Sequence, residues 1–421
     1  MNRRTNNHPL LLNYVALQKR FLSYKARLKT FWPDVVVERK SYAFPEEESS
    51  EQKDNAILLS SDMIWARHTS DPSTTQAPHT PPSTADALKG PHAKRSQTHN
   101  TFLLVLSAGL HGVEGYVGAH LIDHYVRSYY DETQRHKHHG SPPPFDLALI
   151  HGINPWGMLN MRKANARNVD LNRNFVIDWR DRNTLNNPDY DALKDLLHPS
   201  HAHPSKAYFY GQLLRTLLRL RQRAPRQIER ALTLGQFNDP EGPYYGGTTY
   251  EPETMWMMRI IEKLFSCYRS IIWLDLHTGY GPRGLMQVVR ASGDMHTRKA
   301  WQSYFSYPYV VETAGENFYA IHGDMIEYMY AYQKKQHPHL ELYAATLEFG
   351  TLGDTLWALI QSLATTVLEN ASYHAGRKTR QHERQLLEMY APSDTRWLNQ
   401  SMQQFLRFMH HVHDRLQNAY L

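Results

Sequence analysis

Apolar residues in this chain fall into two patterns, short unbroken runs and longer stretches with helical spacing. Phe102–Leu106, Leu147–Ile150, Ile271–Leu274 and Leu342–Phe349 are unbroken and read as strands buried on both faces. Val35–Val37, Ile64–Ala66, the LMQVV run after Gly284 and about Tyr309–Glu312 read as further short strands. From about Leu10 to Phe31, Leu12, Val15, Leu17, Phe21, Leu22 and Leu28 recur with helical spacing. Residues 180–233 read as mostly helical, with Leu213, Leu214, Leu217, Leu218 and Leu220 as the buried face. Helices are also expected after Glu114, over Met255–Tyr268, about Thr355–Tyr373 and about Asp394–Ala419. Strands alternating with helices predict an α/β fold with a mixed, mainly parallel sheet flanked by helices.

The stretches between are informative too. Residues of about 69–100 are rich in Pro, Ser, Thr and His, and about 134–144 contain HKHHGSPPP. Neither can bury enough apolar surface to offset the entropy of ordering, so both are expected as low-complexity insertions in a single domain spanning 1–421. By contrast, residues 151–175 lack regular periodicity but are rich in Arg, Asn and aromatic side chains, the composition of a functional loop. Residues 235–253 form a second loop, rich in Gly, Pro and Tyr.

Composition narrows the function classes. A 41% hydrophobic content supports a sizeable core. The formal charge of +6 is spread over 47 basic and 41 acidic residues, and no RNP, KH or zinc-finger signature accompanies it, so nucleic acid is not an expected partner. Cys267 is the single cysteine, which excludes an internal disulfide and a Cys-rich metal site. No run approaches the roughly 18 apolar residues of a membrane span. The N-terminus lacks a long apolar region with a small-residue cleavage site, so the expected location is cytoplasmic.

Candidate chemistry sits where strands end. His111 and Glu114 follow the Phe102–Leu106 strand as a helical pattern begins, the place where α/β sheets hold ligands. The Ile271 strand ends on His277, with Asp275 two residues earlier and therefore on the same side. Glu348 lies near the carboxyl end of YAATLEFG. GYGPRG at 279–284 fits a dinucleotide fingerprint literally, but it leads into a strand instead of opening a helix, and the reading is rejected. Two histidines and a carboxylate leave one position open on a single zinc ion, as catalytic sites do. A further carboxylate, Glu348, is then available to take a proton from water.

These segments resemble the zinc carboxypeptidases of the M14 type, and most of all their bacterial branch of unknown function (DUF2817). HGVEG at 111–115 resembles the HxxE zinc motif, and LDLHTG at 274–279 the segment supplying a third ligand. NPWG…MRKANARNVDLNRNF is similar to the NPDG…RK…VDxNRN block, with Trp156 in place of the usual Asp. GQFNDPEGPYYGG is similar to a loop of that branch. The resemblance covers roughly residues 10 to 390. It implies a zinc-carboxypeptidase-like fold in which His111, Glu114 and His277 hold one zinc ion, Glu348 is the general base and Arg162 stabilises the oxyanion. It further implies that Asn172 and Arg173 grip a substrate carboxylate and that Asp170 orients His111. A substrate-capping tyrosine is also implied, with Tyr244, Tyr245, Tyr250 and Tyr280 competing for the role. The expected activity is zinc-dependent hydrolysis of an amide or peptide bond next to a carboxylate, on a peptide or an acylated amino acid. A deacylase of acylated amino acids and a catalytically silent binding protein are the alternatives; a serine hydrolase has no G-x-S-x-G elbow to support it.

Overall fold

The computed structural model describes residues 8–10, 13–43, 59–68, 99–130, 142–180, 185–199, 205–220, 224–312, 322–377 and 379–418. Eight strands form one mixed sheet. In chain order they are β1 (Asp34–Tyr42), β2 (Leu59–Arg67), β3 (His99–Ala108), β4 (Phe145–His151), β5 (Tyr268–Gly279), β6 (Met286–Arg290), β7 (Val310–Glu312) and β8 (Glu341–Gly350). In space the order is β1-β2-β4-β3-β5-β8-β6-β7. The middle four strands, β4, β3, β5 and β8, are parallel; β2 runs antiparallel to β4 and β6 antiparallel to β8, with β1 antiparallel to β2 and β7 parallel to β6 at the two edges. The unbroken apolar runs are the four central strands, which are covered on both faces.

Alternation along β5 divides the core in two. Ile272 and Leu274 point into a cluster closed by α1 (Tyr14–Leu28), α2 (Gly115–Tyr129) and the helix Thr395–Asn418. Ile271 and Trp273 point the other way, against the helices Pro252–Cys267 and Met325–Gln336. Asn13 opens α1 by accepting a hydrogen bond from the Ala16 amide at 2.9 Å, which fixes its start just inside the expected periodic stretch.

Several expectations need adjustment. The first insertion ends before residue 100, because β3 begins at His99; the rest of it, and most of 134–144, lie outside the described residues. Residues 180–233 break into the helices Pro188–Ala192, Lys194–Leu197, Lys206–Leu220 and Ala224–Thr233. In Lys206–Leu220 the expected buried face is reduced to Leu213, while Leu214 and Leu218 are 58% and 69% exposed. Phe209, Leu213 and Thr216 form the buried stripe instead, because the helix lies on its neighbours by a narrow edge. The helices Arg298–Tyr304, Met325–Gln336 and Arg380–Tyr390 were not expected from the spacing.

Candidate metal and catalytic site

Strand register assembles the site. Ser107 of β3 lies opposite Asp275 of β5, and His277 of β5 lies opposite Glu348 of β8. All four side chains share the sheet face of Trp273, within the last residues of the parallel strands at their carboxyl ends. His111 and Glu114 come from the turn between β3 and α2. That turn is held against the 151–175 loop: the Gly112 and Val113 amides donate to the Lys163 and Arg162 carbonyls at 3.2 and 2.9 Å. A Cβ on Gly112 would lie 2.1 Å from the carbonyl carbon of Gly157, so only glycine allows this approach. Asn154 starts the following helical turn (Pro155–Leu159) by accepting from the Gly157 amide at 2.8 Å. Trp156, which departs from the family pattern, packs edge-on against Tyr373.

His111, Glu114 and His277 each offer a ligand atom, and the three atoms lie within 4.8 Å of one another. Glu114 bridges the two rings, with Oε1 2.8 Å from His111 Nδ1 and Oε2 3.2 Å from His277 Nδ1. Each histidine is held from behind by an acid. His111 Nε2 is 2.9 Å from Asp170, and His277 Nε2 is 2.6 Å from Asp275. Asp275 in turn accepts from Ser107 Oγ at 2.6 Å, and Trp273 Nε1 donates to that hydroxyl at 2.9 Å. Carboxylate partners of this kind fix the ring and tautomer of metal-bound histidines.

The donor set suits zinc: two imidazole nitrogens and a carboxylate, with both imidazoles offering the same ring atom and their opposite nitrogens taken. Charge points the same way. Glu114, Asp170, Asp275 and Glu348 are all buried or nearly so, and Lys163 is the one Lys or Arg in ion-pair contact with any of them among the described residues. Uncompensated carboxylates are costly to bury, so the group favours a cation.

Electrostatics separate the carboxylates. Burial pushes Glu114 up, but the charges and hydrogen bonds of His111 and His277 outweigh it and hold the group well below its usual range. Asp170 is likewise held low against burial, first by Lys163 and then by His111. His277 is held well above its usual value despite burial, by Asp275 and Glu114. Glu348 moves the other way. Burial and the Glu114 charge push it up to about 8, while its Oε1 accepts from the Tyr280 amide at 2.9 Å.

The remaining expected residues divide. Asp170 contacts His111 and Lys163. Arg173 is nearby, with Nη1 donating to the Asn172 carbonyl at 3.0 Å and Nε buried without a partner among the described residues. Asn172 is committed to structure: Nδ2 donates to Asp324 at 2.8 Å, and Oδ1 accepts from the Met325 amide at 3.0 Å. Arg162 stands apart from the metal group. It is 1% exposed, donates to Glu369, Asn168 and Asn370, and lies 3.6 Å from the Tyr373 ring centre. These contacts staple the loop to the helix Leu356–His374. The neighbouring cation is the one next to the metal group: Lys163 Nζ is 3.2 Å from Asp170 Oδ2 and 5.0 Å from the Tyr244 ring centre. Lys163 and Ser107 were not singled out in the sequence; the RK pair offered a signal for Lys163, and no spacing rule offered one for Ser107.

Residues 83–404 match the family described as "Protein of unknown function (DUF2817)", and the chain belongs to it. Among solved structures, the chain is similar to carboxypeptidase A from Helicoverpa armigera, with 13% identity, 90% of this chain and 74% of that chain covered, and a TM-score of 0.40. It is similar to a metallo-carboxypeptidase from Burkholderia cenocepacia at 13% identity, over 90% and 69% of the two chains, with a TM-score of 0.34. For succinylglutamate desuccinalase from Vibrio parahaemolyticus the values are 12%, 82%, 81% and 0.29. No curated protein matches the chain. Among the described residues, no helix is long and apolar enough to cross a membrane.

Proposed function

We propose that this protein is a zinc-dependent hydrolase of an amide or peptide bond next to a carboxylate. One observation carries the reading: three ligand atoms converge within 4.8 Å beside a buried carboxylate, Glu348, that belongs to the adjacent strand position and not to the ligand set. His111, Glu114 and His277 would hold one zinc ion, which supplies Lewis acidity for a carbonyl oxygen and lowers the pKa of a water molecule. Asp170 and Asp275 keep both imidazoles turned toward that point. Glu348, whose proton affinity is raised by burial and by the Glu114 charge, accepts the proton of the attacking water and passes it to the leaving nitrogen. Lys163, in place of Arg162, offers its ammonium to the oxygen on which negative charge develops. Arg173 offers its guanidinium to a terminal carboxylate, a planar match; Asn172 supports it by fixing the adjoining backbone. The cytoplasmic location expected from the sequence belongs to this proposal, and cell fractionation tests it.

The experiment pairs elemental analysis with hydrolysis assays on peptides, N-acylated amino acids and cell-wall fragments, using wild type and Glu348→Gln. Zinc in both proteins, with turnover only in wild type, supports the reading, and the class of substrate cleaved separates a carboxypeptidase from a deacylase. Well-folded protein without metal overturns it, as do equal rates in the two proteins. Zinc retained with no turnover of any substrate favours the silent binding protein.

A further inference from the structure

We infer that the face formed by the helices Lys206–Leu220 and Leu356–His374 is an interface at which two copies of this chain pair about a two-fold axis. The inference is independent of the metal chemistry and rests on a patch of large apolar side chains that the fold leaves uncovered.

Both helices carry more apolar surface than their core uses. In the first, Phe209, Leu213 and Thr216 are buried, while Leu214, Leu217 and Leu218 are exposed. Those three follow Tyr210 at helical spacing, so they share one face beside the buried stripe. In the second helix, Leu363 and Val367 join the cluster that holds Phe209 and Leu213. Ile360 and Leu356 continue that stripe toward the amino end, yet Leu356 is 68% exposed, and Trp357 and Leu359 beside it are exposed as well. Tyr210 and Trp357 stack with ring centres 6.4 Å apart and planes 8° apart, which makes the two exposed stripes one surface. Leu214 and Leu218 lie one and two turns farther along the first helix, so the patch has a Trp357 end and a Leu218 end.

Size selects the occupant. Weighted by residue size, Leu214, Leu217, Leu218, Leu356, Trp357 and Leu359 leave roughly 600 Å² open to solvent, the top of the range for the largest apolar patch on a monomer. Covering that patch on two copies buries about 1,200 Å², where specific protein–protein interfaces begin. Charge agrees with a second copy. Asp354 precedes the Trp357 end and Arg215 flanks Leu218 at the other; both are exposed, and neither is in an ion pair among the described residues. A two-fold axis lays each end of a patch on the opposite end of its copy, so Asp354 of one chain meets Arg215 of the other. An apolar centre with one charge of each sign on its rim is complementary to itself, whereas an anionic membrane surface calls for a basic rim alone.

The test measures the mass of the full-length protein by light scattering and sedimentation over a concentration series, with melting temperature alongside. Wild type should run at twice the chain mass and dissociate on dilution. Leu214→Ser combined with Leu218→Ser, both at exposed positions, should raise the dissociation constant about a hundredfold or more without unfolding the chain. Arg215→Glu sets like charges together at both ends and should weaken pairing about tenfold, and adding Asp354→Arg should restore it. Wild type that stays monomeric throughout overturns the inference, as does a dimer that the two serines leave intact. An Arg215→Glu dimer that Asp354→Arg fails to restore overturns the two-fold pairing. Sedimentation of monomeric wild type with phosphatidylcholine–phosphatidylglycerol vesicles, lost in the serine variant, gives the patch to a lipid surface instead.

Discussion

Two buried polar regions, both fed by the 151–175 loop, resolve the same problem in opposite ways. Around Arg162, one guanidinium meets one carboxylate, Glu369, and the amide oxygens of Asn168 and Asn370 take further hydrogen bonds. Charge is balanced inside the chain, although Nη1 of the guanidinium is buried without a hydrogen-bond partner among the described residues. Around His111 and His277, four carboxylates share two imidazoles and Lys163, and the ligand atoms face one another. An arginine alone therefore says little about chemistry; unbalanced negative charge with converging donors says more.

The sharpest way to break this contrast is to remove one donor from the unbalanced region. His277→Ala should abolish zinc retention on gel filtration, and hydrolysis should fall below detection. The balanced region predicts the reverse pattern. Arg162→Met keeps the stem against Tyr373 but leaves Glu369 buried and unpaired, and should cost about 3–5 kcal/mol in urea unfolding. Its zinc content should match wild type; loss of zinc would show that the two regions are not separate. A milder probe is Asp275→Asn, which leaves all three ligands in place and removes the charge behind His277. Chelator competition should report roughly 10–100-fold weaker zinc binding.

Glu253 supplies a third case, a buried carboxyl in no ion pair, with neither oxygen in a well-formed hydrogen bond among the described residues and Asn165 and Arg167 too weak to offset its burial. Burial, with Glu251 adding to it, pushes the group from its ordinary 4.5 up to about 7. The folded chain thus holds a proton that the unfolded chain releases between those values. The resulting stability is present below about pH 4.5 and is lost as pH rises through about 7, each pH unit across that window costing about 1.4 kcal/mol. Melting temperatures of wild type and Glu253→Gln should therefore converge near pH 5, with wild type falling below the variant by pH 8. Parallel curves would mean that Glu253 has found a charge partner.

The sequence carried the ligand strands well, because buried parallel strands announce themselves as unbroken apolar runs and their ends are abrupt. His111, Glu114, His277 and Glu348 stood out for that reason. Arg162 and Lys163 did not separate: they are adjacent in a loop without a repeat, and only the packing of Tyr373 and Glu369 decides which one turns inward. β1 runs on from the expected valines through Glu38, Arg39 and Lys40, since an outer strand tolerates charge on its open side. Arg380–Tyr390 was missed because RQHERQLLEMY keeps its apolar residues for the last turn, too few for a period to show.

The contact of Gly112 with Gly157 has a consequence for how damage to this protein would be distributed. At 2.1 Å from backbone, even an alanine at position 112 must pry the HGVEG turn away from its neighbour and carry an imidazole and an acid with it. A saturation scan would thus find its least forgiving positions at residues bearing no chemical group whatever. There, intolerance would record room for a backbone to pass, and no reaction at all.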